Sequence, residues 1–156
     1  MSIQSATFEV EQITKLATFH IGHLFFGVDV TRVQEVLRHH PITAVPLAPA
    51  TVEGLINLRG QLVVAIDVRA RLGLPEKVEK ETQMNVVVYT AEGAVSLLVD
   101  QIGDVIEVNH GTYERAPENL STDVRALVLG VHKLDSGILL ILDVEQAASV
   151  ASGAIN

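Results

Sequence analysis

GLINLRGQLVVAIDV, from Gly54 to Val68, is the stretch whose reading decides the fold. Leu, Ile and Val run on both sides of Asn57-Leu58-Arg59-Gly60-Gln61, so the segment reads as two β-strands joined by a turn at NLRGQ and closed by Asp67-Val68. The pattern recurs downstream. GVHKLDSGILLILDV, from Gly130 to Val144, lays over it at an offset of 76, with Gly, Leu and the closing Asp-Val in coincidence and no gap.

A second block precedes each copy. FFGVDVTRVQEVL, Phe25 to Leu37, spaces Val30, Val33 and Val36 by three, as a helix could. Its β-branched content and the flanking Gly22 and Gly27 favour strand, turn, strand, and the reading is a hairpin. SLLVDQIGDVIEV, Ser96 to Val108, matches it at an offset of 72: Ile102, Val105 and Val108 stand as Val30, Val33 and Val36 do, and Glu107 falls opposite Glu35. The loop from about Arg38 to Thr51 then has a slightly longer counterpart from His110 to Arg125. Apolar periodicity repeats cheaply, but two separate blocks in matched order imply a duplication. The expected fold is mainly β, with two similar halves that each close into a small barrel and so remove exposed strand edges.

Between the halves, Ala70 to Gln83 turns polar after Gly73 and Pro75, which reads as a short helical turn and connector. After Asp143 an Ala-rich stretch with Glu145 near its start suits a short C-terminal helix, whose first turn favours acid.

Composition narrows the function. A chain of 156 residues has the size of one domain, and apolar residues at 48% with aromatics at 4% require a core of Val, Ile, Leu and Ala. The net charge of −8 repels phosphate backbones and anionic lipid, and few aromatics are available to stack bases, so nucleic acid is not an expected partner. Cys is absent, which removes disulfides and thiolate chemistry and favours the cytoplasm. No stretch stays apolar for the length of a membrane span, so no direct membrane insertion is expected.

Catalytic motifs are missing: neither a phosphate-binding glycine loop nor a GxSxG elbow occurs. His20 with His23, and His39 with His40, would point to opposite faces of a strand, so no metal or other cofactor is expected and the histidines read as solvent-exposed. Asp29 and Asp100 lie inside apolar runs and, with the histidines, give the alternative reading of a small β-barrel hydrolase with Asp/His acid–base residues. Asp67 and Asp143 hold the same place in each half, before Val and a helix-like segment, where a carboxylate caps backbone N–H groups. Arg59 sits at a hairpin tip. Either Asn57 and Gly60 supply the turn angles and Arg59 points to water, or its guanidinium pairs with Glu35 or with a partner's carboxylate.

These blocks, in this order from about Phe19 to Val144, resemble the CheW family of chemotaxis coupling proteins. The resemblance implies two similar SH3-like five-stranded β-barrels side by side, with a short connector helix and a C-terminal helix. It places an N-terminal arm at 1–14, one CheW-like domain at 15–147, with a first barrel at about 16–73 and a second at 83–147 and strand exchange between them left open, and a tail at 148–156. It implies a cytoplasmic, non-catalytic scaffold at receptor arrays on the inner face of the membrane. The partners would be the regulatory domain of the histidine kinase CheA, the cytoplasmic tip of methyl-accepting chemoreceptors, and other CheW-like proteins in rings. Carried over, the family's NLRG motif is Asn57, Leu58, Arg59 and Gly60, with Gly54 at the head of the same hairpin, and its VQEV motif is Val33, Gln34, Glu35 and Val36. Val33, Val36, Ile102 and Val105 are the candidates for an apolar groove that takes the receptor's helical tip. One departure is visible: family members often carry Pro in the strand after NLRGQ, where this chain has Val63, Val64 and Ala65, which puts the edge geometry there in question.

Overall fold

The computed structural model describes residues 13–77, 79 and 82–153, so most of the expected N-terminal arm and the end of the tail lie outside the described residues. Among the described residues eleven strands and three short helices follow one another as β1 (Ile13–Ile21), β2 (Leu24–Asp29), β3 (Val33–Leu37), β4 (Val52–Leu58), β5 (Gln61–Asp67), α1 (Val68–Arg71), β6 (Met84–Thr90), β7 (Gly93–Val99), β8 (Gln101–Asn109), β9 (Tyr113–Glu114), α2 (Thr122–Arg125), β10 (Val128–Leu134), β11 (Gly137–Leu142) and α3 (Val144–Gly153).

The two Asp-Val blocks are antiparallel hairpins, as read: Leu58 faces Gln61 in β4–β5, and Leu134 faces Gly137 in β10–β11. Both carry an irregularity at the same place, between Val52 and Gly54 and between Val128 and Gly130. A close approach explains the glycines. A Cβ on Gly54 would lie 2.3 Å from the Thr43 carbonyl oxygen, and one on Gly130 would lie 2.2 Å from the Tyr113 hydroxyl. The carboxylates cap as expected, Asp67 accepting from the Ala70 N–H at 3.3 Å and Asp143 from the Gln146 N–H at 3.1 Å.

The hairpin expected over Phe25–Leu37 does not form. Strand, turn and strand are all present, but β2 pairs with β1 and β11 while β3 pairs with β6. The chain leaves one sheet and enters the other through a 3-10 turn, Val30–Arg32, capped by Asp29, which accepts the Thr31 N–H at 2.9 Å. Local sequence shows where strands begin and end. It does not say which strand each one will meet.

The true hairpins of this region set a different frame. Ile21 faces Leu24 in β1–β2, Thr90 faces Gly93 in β6–β7, and these turns lie 69 residues apart, not 72. At that offset Val33 and Val36 match Ile102 and Val105, and Glu35 matches Asp104 in place of Glu107. Pairing confirms it. Val33 opposes Val88 and Val36 opposes Val86, while Ile102 opposes Phe19 and Val105 opposes Ala17, with a bulge between the two positions each time. The expected offset of 72 was a coincidence of valines spaced by three, a spacing that strands do not keep.

Under this frame the two sheets are copies. One runs β3-β6-β7-β5-β4 and the other β8-β1-β2-β11-β10, with the short β9 added at its edge. The parallel contacts correspond as well, Val64 with Val95 in one and Leu140 with Phe26 in the other. Residues 16–73 and 83–147 each contribute strands to both sheets. No ladder closes either sheet among the described residues.

Alternation along the strands builds the core in three parts. Val86 and Val88 of β6, with Val95, Leu97 and Val99 of β7, meet Phe19, Ile21, Phe26 and Val28 of the other sheet in a shared core, which α1 and α3 cover with Val68, Leu72, Val144 and Ala147. Val87 and Leu98 point the other way, onto Ile56, Leu58, Val63 and Ala65. Leu16, Val108 and Leu139 make the smaller counterpart in the second sheet. The inner strands are thus largely covered on both faces, which is why they read as continuous apolar runs, whereas the edge strand β8 is mostly exposed.

Candidate functional site

Arg59 and Gly60 form the tip of β4–β5, with φ of +51° and +88°. Two left-handed residues between paired strands make the turn that suits a twisted hairpin, and Asn-Gly is the sequence that favours it. The expectation that Asn57 would supply a turn angle is corrected: Asn57 lies within β4, one residue before its end, and its side chain accepts the Gly60 N–H at 2.8 Å. Arg59 occupies the left-handed position, a conformation that costs an L-residue with a Cβ about 1–2 kcal/mol.

The Arg59 guanidinium donates to Glu35 on β3. These residues are 24 apart in sequence and belong to the two opposite edges of their sheet, so the sheet curls enough to bring its edges together. His40 with the Asn57 carbonyl at 3.0 Å, and the bridge between Thr43 and Leu55, fasten the same edges. Arg59 remains 71% exposed while Glu35 is 19% exposed. Hydrogen bonds from Arg59 and then Gln34, more than offsetting desolvation, hold the Glu35 carboxyl below the usual carboxylate range. The result is a fixed charge pair whose cationic end stands in solvent.

Val36 and Val105 are 42% and 61% exposed, Ile102 is 37% exposed, and they lie on β3 and β8, the matching edge strands of the two sheets. Val33 is half-buried against the shared core. Gly54 and Leu58 are buried, and their part is to hold the hairpin that displays Arg59. In the second copy the places of Arg59 and Glu35 are taken by Asp135 and Asp104, two acids that cannot pair. The Val63-Val64-Ala65 departure does not mark an edge: β5 is an inner strand, bonded to both β4 and β7.

The remaining candidates are committed elsewhere. Asp29 caps a 3-10 turn, and Asp100 accepts from the Gly22 N–H at 2.6 Å and from Arg69, with Lys77 at 3.5 Å. Among the described residues no three His, Asp or Glu gather in a way that could hold a metal ion, and no helix is long and apolar enough to cross a membrane. The expectation of exposed histidines fails at His132, which is 4% exposed on β10. Sequence reasoning also missed Arg32, which bonds the Tyr89 carbonyl and Glu145 of α3, and the Arg69–Asp100 pair. No signal in the chain marks contacts that span 113 and 31 residues.

Comparison with known proteins agrees with this geometry. The CheW-like domain family matches residues 15–152. A probable chemotaxis protein CheW of Rhizobium etli is 31% identical over 131 residues, 84% of either chain, and chemotaxis protein CheW of Bacillus subtilis is 31% identical over 138 residues, 88% of either. The crystal structure of the scaffolding protein TtCheW from Thermoanaerobacter tengcongensis superposes with a TM-score of 0.77 at 27% identity, covering 86% of this chain and 91% of that one. Paired sheets, a displayed tip and these matches lead to one conclusion: this chain belongs to the CheW-like family, a non-catalytic scaffold of chemotaxis.

Proposed function

We propose that this chain couples the cytoplasmic tips of methyl-accepting chemoreceptors to the histidine kinase CheA, within cytoplasmic arrays on the inner face of the membrane, and that it enters rings with kinase regulatory domains or other CheW-like proteins. The observation that carries this reading is the Arg59–Glu35 pair. An exposed arginine held in a left-handed turn by a charged partner does nothing for the core, yet it presents a guanidinium fork in one orientation, which is what a docking surface needs. Val36, Ile102 and Val105 supply the apolar part, suited to an amphipathic helix. Partner binding is assigned to these residues with Val33, Asn57, Leu58, Gly60 and Gly54 in support, and each sheet is taken to close as an SH3-like barrel within a domain of residues 15–147. Coupling then means that a receptor's change of shape reaches the kinase through contact geometry alone.

The test is titration of the chain against the purified kinase regulatory domain and a receptor-tip fragment. Arg59→Ala, on a surface turn, should leave the fold intact and weaken at least one contact by tenfold or more. Val105→Arg should do the same for the apolar contact. Wild-type protein that binds neither fragment, or both variants at wild-type affinity, overturns the reading.

A further inference from the structure

The duplicated frame contains its own control. In the first copy the face turned away from the shared core is filled by Ile56, Leu58, Val63, Ala65, Val87 and Leu98, each 4% exposed or less. At offsets of 76 and 69 the second copy has His132 for Ile56 and Asp29 for Leu98. Where the first copy is packed, the second has an open-mouthed cavity of about 340 Å³ bordered by these two residues. Leu16, Val108 and Ile141 form its apolar walls, and Thr14, His110 and Tyr113 its polar side. Replacing Ile with a buried imidazole beside empty space costs stability in any scaffold, since a polar group is desolvated and dispersion contacts are lost.

The hydrogen bonds fix what the imidazole offers. Thr112 Oγ1 lies 2.9 Å from the Asn109 carbonyl oxygen and 2.8 Å from His132 Nδ1. A hydroxyl has one proton, and only donation satisfies the carbonyl, so Thr112 accepts from His132 and the ring proton sits on Nδ1. Nε2 is then a bare acceptor, and it has no partner among the described residues. Burial first, and the neighbouring His110 second, lower the His132 pKa and keep the ring neutral near pH 7. His110 is held by Thr14 at 2.6 Å, and Tyr113 donates to the Leu129 carbonyl at 2.8 Å while its ring meets His132 edge-on at 5.4 Å. Asp29 is engaged by Thr31, and its negative charge opposes an anion at the mouth. The cavity exceeds twice the roughly 150 Å³ that admits benzene and lies within the size range of small-molecule sites.

We propose that this cavity binds a small uncharged aromatic molecule carrying one N–H or O–H donor, of the phenol or indole class, with the donor on His132 Nε2 and the ring against Leu16, Val108 and Ile141. It is a property of the second copy alone, and it stands or falls apart from the adaptor role.

Titrating the full-length ¹⁵N-labelled chain with indole, and separately with 1-methylindole, tests it by amide and imidazole chemical shifts. Indole should give saturable shifts centred on Thr14, Val108, His110, Tyr113 and His132. 1-Methylindole, which keeps the ring system and carries a methyl group in place of the donor hydrogen, should bind at least tenfold more weakly, and His132→Ile, the first copy's residue, should abolish the indole shifts. The methylindole comparison uses the unaltered protein and so holds whether or not the variant folds. No saturable shift up to millimolar indole, shifts centred elsewhere, or equal binding of the two indoles overturns the proposal.

Discussion

Changing Asp100 to Asn should lower the melting temperature by about 4–8 °C at pH 7. Asp100 lies at the corner between β7 and β8 and gathers three other segments: the β1–β2 turn through the Gly22 N–H at 2.6 Å, α1 through Arg69 Nη2 at 3.1 Å and Nε at 3.3 Å, and the connector through Lys77 at 3.5 Å. The carboxylate is 12% exposed and both cations are 17% exposed. Removing one partner of a fully buried pair costs roughly 3–5 kcal/mol. Asn keeps the shape and an oxygen for Gly22, and some solvent reaches the cations, so about 2 kcal/mol is expected here. At roughly 2–4 °C per kcal/mol for a chain of this size, that gives the stated shift. Burial pushes the Asp100 carboxyl up, but the hydrogen bonds from Arg69 and Gly22 and the charges of Arg69 and Lys77 outweigh it, and the folded pKa is lowered. A carboxyl lowered in the folded state stabilises fully above its unfolded value of about 3.9 and ceases to do so as pH falls through the folded value. Thermal melts of the two proteins should therefore differ by a constant amount from pH 8 to pH 5 and converge below about pH 4. A difference under 1 °C at pH 7, or one that persists undiminished at pH 3, would refute the ion-pair argument.

Arg59→Asn should separate fold from function: Asn tolerates the left-handed position better, so denaturant midpoints should rise by the equivalent of about 0.5 kcal/mol while binding to kinase or receptor falls. Gly54→Ala should cost about 2–4 kcal/mol in urea unfolding or abolish soluble expression, because its Cβ would meet the Thr43 backbone at 2.3 Å. His132 has a lowered folded pKa, so stability should decline as pH falls below the unfolded value of about 6.5, until the folded imidazole itself titrates. The melting temperature of His132→Ile should gain on wild type between pH 7 and pH 5, and equal acid slopes for the two proteins would contradict this.

Much of the strand content was legible because burial on both faces forces continuous runs of Val, Ile and Leu, and the Asp-Val endings mark helix caps that any reader of the chain can see. NLRGQ announced a hairpin tip in the same local way. The Phe25–Leu37 hairpin failed for a reason of another kind. Strand pairing is a contact between distant segments, and the 3-10 turn at Val30–Arg32 has the same length and polarity whether it returns the chain to its partner or hands it to the other sheet.

The site divides along the same line. Arg59 was visible as a charged tip, and pairing with Glu35 was one of the two readings open to it. That the pairing occurs, and that Arg59 itself takes the left-handed turn, depends on how far the sheet curls. His132 shows the limit most sharply, for in sequence it is one polar residue in an apolar strand, and only the duplicated fold sets it against Ile56. The sequence by itself determined the β class, the duplication and the caps, because periodicity and local hydrogen bonding act over a few residues. Only the tertiary structure decided the exchange of strands between halves, the 69-residue frame, the closing of Arg59 on Glu35 and the cavity beside His132, because these are contacts between edges and faces that lie tens of residues apart in the chain.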